Sequence, residues 1–157
     1  MKAQAILTFL VIALSGCVVR NSPTTIAPWY PETNQQGDPI FSVFESRIPC
    51  GGNCSRLKFA LVLYWNQETK APTTFKMARV YVAEEPEGAR IVTDGIWSIT
   101  KGTKLDPNAV VYNLDFNAPE EFRAFWAIGD DILFVLDQNL SPRVGTAGYG
   151  YALNRTR

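Results

Sequence analysis

The chain has 157 residues, 15 of them basic and 15 acidic, and contains no histidine. That balance lacks the basic footprint of a nucleic-acid binder, and without His neither a Ser-His-Asp nor a Cys-His catalytic arrangement can be built. Hydrophobic residues make up 46% of the chain and aromatic ones 12%, enough for one core, and the length suits one domain rather than two.

The N-terminus reads as an export signal. Lys2 gives a short positive start, and Ala3 to Leu14 is an apolar run. It is too short for a bilayer crossing, which needs about 20 residues, and fits the 7–15 of a signal-peptide core. Leu14-Ser15-Gly16-Cys17 then matches the bacterial lipobox. The expectation is a signal peptide over 1–16 and a mature N-terminus at Cys17 that carries lipid and anchors the chain to a membrane. Val18 stands where an Asp would favour the inner membrane. The lipobox resemblance therefore implies the outer membrane, facing the periplasm.

Residues 17–38 form the expected flexible tether, since Pro, Thr, Asn and Gln dominate and no apolar period appears. Trp29 and Tyr30 are the exception, to be docked on the domain or held at the membrane interface. From residue 39 to 157 the pattern changes to period two. Ile40 to Ile48 is a first strand. Ser55 to Trp65 alternates, with Leu57, Phe59, Leu61, Leu63 and Trp65 on one face. Phe75 to Val82 follows, then Gly88 to Thr100 with a turn at Asp94-Gly95. Val110 to Phe116, Glu121 to Ile128, Ile132 to Asp137 and Ala147 to Asn154 complete the series. In the sixth strand Phe122, Ala124 and Trp126 share a face. Turn residues separate all of these, so the predicted fold is all-β: a small antiparallel up-and-down barrel of about eight strands. An open sandwich is the alternative.

Cys50 and Cys54 stand in IPCGGNCS, leaving an even pair once Cys17 carries lipid. In an oxidising periplasm a disulfide staple is the first reading. A redox- or metal-responsive pair is the second, and two free thiols the third. Copper through Cys50 and Cys54 would need both thiolates, and a disulfide removes them. Met77, alternating with Phe75 and Arg79, reads as core. The pairs Glu84-Glu85, Glu120-Glu121 and Asp130-Asp131 lie beside turns and read as solvated charges. Gly145 to Gly150 is glycine-rich but leads into a strand, so it does not resemble a phosphate loop.

Ile48-Pro49-Cys50-Gly51-Gly52-Asn53-Cys54, followed by the alternating strand from Leu57, resembles the Leu-Pro-Cys-x-x-Cys opening of the NlpE-like outer-membrane lipoproteins, also known as copper-resistance or copper-homeostasis lipoproteins. Gly95-Ile96-Trp97 resembles the family's Gly-x-Trp, and Ile132 to Asp137 its Leu-x-x-Leu-Asp strand. The likeness spans Phe41 to Arg155. It implies a lipocalin-like barrel and a non-enzymatic role in envelope stress sensing or copper homeostasis, through contacts with a protein such as the Cpx envelope-stress kinase. This chain has three residues between its cysteines where the family has two, so the family's redox or metal chemistry does not transfer directly. No resident cofactor is implied. The rival reading is a carrier of a small apolar ligand, with Phe59, Phe75, Trp97, Trp126 and Phe134 lining or filling the lumen.

Overall fold

The computed structural model of the chain describes residues 28–51, 54–83 and 88–157. The signal peptide at 1–16, Cys17, the first part of the expected tether and the Glu84-Glu85 pair lie outside the described residues. Eight antiparallel strands close into a barrel in sequence order: β1 (Ile40–Ile48), β2 (Arg56–Asn66), β3 (Ala71–Val82), β4 (Ile91–Lys101), β5 (Val110–Leu114), β6 (Ala124–Ile128), β7 (Ile132–Val135) and β8 (Ala152–Arg155). The fold is all-β, an up-and-down barrel, with one 3-10 turn among the described residues, at Glu120–Phe122 before β6.

Period-two alternation sends one side chain in and the next out. Leu57, Phe59, Leu61 and Leu63 of β2 meet Phe75 and Met77 of β3, Phe125 of β6, Leu133 of β7 and Leu153 of β8 inside the barrel. Outside, β1 to β4 carry Glu45, Arg47, Lys58, Lys76 and Asp94. That polarity is the reverse of a membrane-spanning barrel, which turns its apolar band outward.

Aromatic rings fill one end of the lumen. Phe41 stacks on Trp65 at 4.8 Å, and Trp97 meets Tyr112 edge-on at 5.1 Å. The register of β2 against β3 shifts between Leu63 and Trp65, which leaves Tyr64 out of that ladder. Its carbonyl is taken by the Trp97 indole N–H, 2.8 Å away and buried. A buried acceptor left empty would cost about 1–3 kcal/mol. Trp97 thus fills space and satisfies the bulge at once.

Three strand readings differ from the observed elements. β4 runs unbroken through Asp94 and Gly95, with no turn there. A Cβ on Gly95 would sit 2.8 Å from the Phe75 ring and clash with the Asp115 carboxylate. The glycine therefore admits two neighbours and does not reverse the chain. In β6 the inward residue is Phe125, because the 3-10 turn brings Phe122 inside three positions earlier and resets the phase. Trp126 consequently faces outward, beside Phe134 at 6.4 Å. The last strand begins at Ala152, since residues 145–150 close a turn in which Thr146 N–H donates to the Tyr149 carbonyl. A Cβ on Gly145 would lie 2.7 Å from Gly150 Cα.

Residues 28–38, read as part of the tether, are fastened to the barrel's outer wall. Val43, Val62 and Tyr64 point outward yet are fully buried, because Trp29, Tyr30 and Ile40 cover them. The Tyr64 hydroxyl donates to the Pro31 carbonyl at 2.9 Å. Asp38, buried, accepts from Asn34 and Asn66 at 3.0 and 2.9 Å. The hydrogen bond from Asn34 leads in holding its carboxyl below the usual value, with Thr73 and Asn66 adding to it against the opposing effect of burial. Glu32 pairs with Arg157 at the surface.

Burial raises the Tyr64 hydroxyl to about 12, with Tyr30 and Glu32 adding to it. The unfolded chain ionises this group near 10. A proton held more tightly when folded gives stability that is complete below pH 10 and is lost as pH rises towards 12. The urea midpoint is expected to be level through neutral pH and to fall across that alkaline window. Tyr64→Phe should have a lower midpoint at neutral pH, by about 1 kcal/mol for the lost hydrogen bond, and a shallower alkaline decline.

Candidate functional site

Two features on the rim and outer wall concentrate chemistry. The first is the turn after β1. Cys50 and Cys54 are joined in a disulfide, with Cα atoms 5.9 Å apart. Cys50 is half-buried and packs against the core cluster, so the bridge joins the turn after β1 to the barrel interior. Joined this way, neither sulfur is a thiolate, and the pair offers a metal no anionic ligand in this state. Among the described residues no group of three or more His, Cys, Asp or Glu side chains is arranged to hold a metal ion.

The second is a groove of about 680 Å³ over the outer faces of β1, β2 and β3. Its floor is Ala60, Ala78 and Val80, small residues that leave the sheet open. Arg47, Lys58 and Arg90 rim it together with Glu45, so the rim is mainly cationic. Trp29 closes one side, with the Arg90 guanidinium 5.9 Å from its ring centre. The other side reaches the seam where β1 meets β8. Phe44 pairs with Arg155 and Glu45 with Asn154 across that seam, and Val43 bonds to Thr156 and Arg157 beyond β8. Beyond Glu45 no β1–β8 pair follows among the described residues, and Tyr149 and Asn154 line the groove. The arrangement suits a partner that presents acidic groups beside a flat apolar portion.

Arg79 stands between Phe59 on β2 and Ile91 on β4, one step along the inward row from Met77. Its Nε is buried and makes no hydrogen bond. Arg143 lies across the Tyr151 ring at 4.0 Å and reaches the Tyr151 hydroxyl at 3.0 Å, closing the space beside Phe122.

Of the residues singled out from the sequence, Cys50 and Cys54 are brought together, and Cys17 lies outside the described residues. Met77 is fully buried in the core. Glu120, Glu121, Asp130 and Asp131 are exposed. Phe59, Phe75 and Trp97 are interior, and they pack on other rings: Phe59 lies 4.9 Å from Phe122 and 6.2 Å from Phe125. Trp126 and Phe134 do not face the lumen. The rim formed by Arg47, Lys58 and Arg90 was not anticipated from the sequence. Its signal was available, because Arg47 and Lys58 fall opposite one another once β1 and β2 pair as a hairpin.

No family model matches the chain, no curated protein matches it, and no solved structure matches it. No helix among the described residues is long and apolar enough to cross a membrane.

The disulfide closes a ring with a sequence separation of 4, and on the chain-entropy view such a short ring contributes about 2 kcal/mol. The double variant Cys50→Ser, Cys54→Ser is expected to lose stability of that order in urea melts while keeping the far-UV spectrum of the barrel. Collapse of the spectrum would show that the bridge holds the whole fold and not its rim.

Proposed function

We propose that this chain is an outer-membrane lipoprotein of the NlpE-like kind, anchored through lipid on Cys17, facing the periplasm, and acting without catalysis through protein contacts in envelope stress sensing or copper homeostasis. The observation that carries the contact role is the filled lumen. Rings and aliphatic side chains from all eight strands occupy the interior, while the cationic groove and the cysteine turn lie on the outer wall and the rim. A barrel arranged this way presents surface to a partner and keeps its interior for stability.

The anchor rests on Leu14-Ser15-Gly16-Cys17. Because residues 28–38 lie on the barrel wall, only about ten residues separate Cys17 from the docked segment. Even fully extended at about 3.3–3.6 Å per residue they reach little more than 30 Å. The domain is thereby kept near the membrane, with its reach set by that length and not by all of residues 17–38.

Copper enters this reading through redox state. Oxidised, the Cys50–Cys54 pair is closed to Cu(I). Reduced, it frees two thiols whose thiolates suit that ion, and it loosens the rim beside Ile48 and Leu57. A partner that reads this rim would sense failed disulfide formation in the envelope.

The test uses the full chain in a Gram-negative host. Palmitate label should appear on the protein, sediment with outer membranes, and vanish in Cys17→Ser. An envelope-stress reporter should respond to reductant more weakly in Cys50→Ser, Cys54→Ser than in the parent. An unlabelled, freely soluble parent protein would refute the anchor. Equal reporter responses in the two proteins would refute the redox role.

A further inference from the structure

One strand of the barrel has an open edge. β3 pairs with β4 from Ile91 to Ile96, but β5 pairs with β4 only from Trp97 onward. Among the described residues the stretch Ile91–Gly95 therefore has a strand neighbour on one side alone. Backbone direction identifies which groups are free. Ile96 N–H donates to Asp115 Oδ2 and its carbonyl accepts from Asp115 N–H, both at 3.0 Å, so the polar groups of Ile96 point away from β3. Alternate residues along a strand share that direction, so Asp94 and Val92 also aim their N–H and C=O at the open side. The carbonyl of Arg90, just before β4, points there too, because the Ile91 N–H on the same peptide turns to β3. Among the described residues, the one hydrogen bond to these outward groups comes from Asn117 Nδ2 to the Asp94 carbonyl, at 3.2 Å.

Edges are ordinarily blunted by proline, a bulge or an inward charge. This one has none of these, for the β3–β4 register runs without a shift and the edge sequence is Arg-Ile-Val-Thr-Asp. Ile91 and Val92 are 45% and 46% exposed.

We propose that this edge pairs with the same edge of a second copy, antiparallel, about a two-fold axis at Val92. Three observations select that occupant and that register. An isologous antiparallel contact must bring residue i opposite residue j and j opposite i. Centred on Val92, it places Arg90 opposite Asp94 of the other copy, and Asp94 opposite its Arg90, so two opposite-charge pairs form. Val92 and Asp94 point both backbone groups outward and Arg90 its carbonyl, so Val92 faces Val92 as a hydrogen-bonded pair and the Arg90 carbonyl faces the Asp94 N–H of the other copy. A register centred one residue later would set Asp94 against Val92 and Arg90 against Ile96, and both charge pairs would be lost. On the shared outer face Lys76 stands opposite Asp94 from β3, which places each Asp94 between Lys76 of its own chain and Arg90 of the other. Asn117 must release the Asp94 carbonyl when the strand from the other copy arrives. The result is one continuous sheet through two barrels, separate from the disulfide rim but drawing on Arg90, which also borders the cationic groove.

The test is sedimentation equilibrium of the full chain in a density-matched non-ionic detergent, across a wide concentration range. The parent should pass from monomer to dimer. Arg90→Asp and Asp94→Arg should each weaken association by roughly tenfold, because each sets like charges against one another twice. The double exchange Arg90→Asp, Asp94→Arg should restore it, since it re-forms both pairs with the signs reversed. Val92→Pro removes an N–H that β3 does not use, so the barrel should keep its melting midpoint while the dimer is abolished. A parent that stays monomeric throughout would overturn the proposal. So would a dimer indifferent to Val92→Pro, or a double exchange that fails to restore association.

Discussion

A closed sheet of eight strands encloses a lumen about as wide as the side chains that can fill it, and the rest of this molecule follows from how that space is occupied. Phe44, Phe59, Phe75, Trp97, Phe122 and Phe125 enter it from six different elements. So much aromatic volume in a narrow tube leaves little slack. The sheet compensates with local irregularities: register shifts in β1 and β2, a missing Cβ at Gly95, and a 3-10 turn before β6. Each irregularity makes room for a ring or re-aims one. The Trp97 indole bond to the Tyr64 carbonyl shows the coupling most directly, because it supplies the hydrogen bond that the β2–β3 bulge gives up.

The same packing pushes function outward. With the lumen occupied, what remains for recognition is the outer wall, the rim and the edges. The outer wall divides into a covered region and an open one. Trp29, Tyr30 and Ile40 lie over Val43, Val62 and Tyr64, and the C-terminus joins them, with Val43 N–H bonded to the Arg157 carbonyl and Thr156 N–H to Val43. The uncovered neighbour is the groove over Ala60, Ala78 and Val80. Docking of the N-terminal segment thus sets the boundary of the groove and shortens the free part of the expected tether.

How far the chain announced this depended on whether a local pattern coincided with a tertiary need. β1, β2 and β7 matched their expected strands closely, because inward residues recur every second position and turn residues bound each run. β4 misled because Asp-Gly is a turn signal taken alone, whereas Gly95 answers to Phe75 and Asp115, which are distant in sequence. β6 misled because Phe122 and Phe125 both face inward at a spacing of three, and only a helical turn between them allows that. The burial of Tyr64 was illegible in β2, since its outward position reads as solvated until Trp29 and Tyr30 are placed on it. The disulfide was readable as an alternative among three, and the fold chose it by bringing Cys50 and Cys54 within bonding reach. In the cationic rim the Arg47–Lys58 pair was legible from the β1–β2 hairpin, whereas Arg90, ahead of β4, joins it only through the tertiary fold.

The central claim is that the lumen belongs to the protein's own side chains and that recognition occurs outside it. Titration of the full chain with a fluorescent fatty-acid probe, followed through both probe and tryptophan emission, tests this most directly. Weak, non-saturable partition that matches the detergent background, with tryptophan emission unchanged, is the expected result. Saturable binding of one probe per chain, with quenching that is lost in Trp97→Phe, would contradict it and make the barrel a carrier.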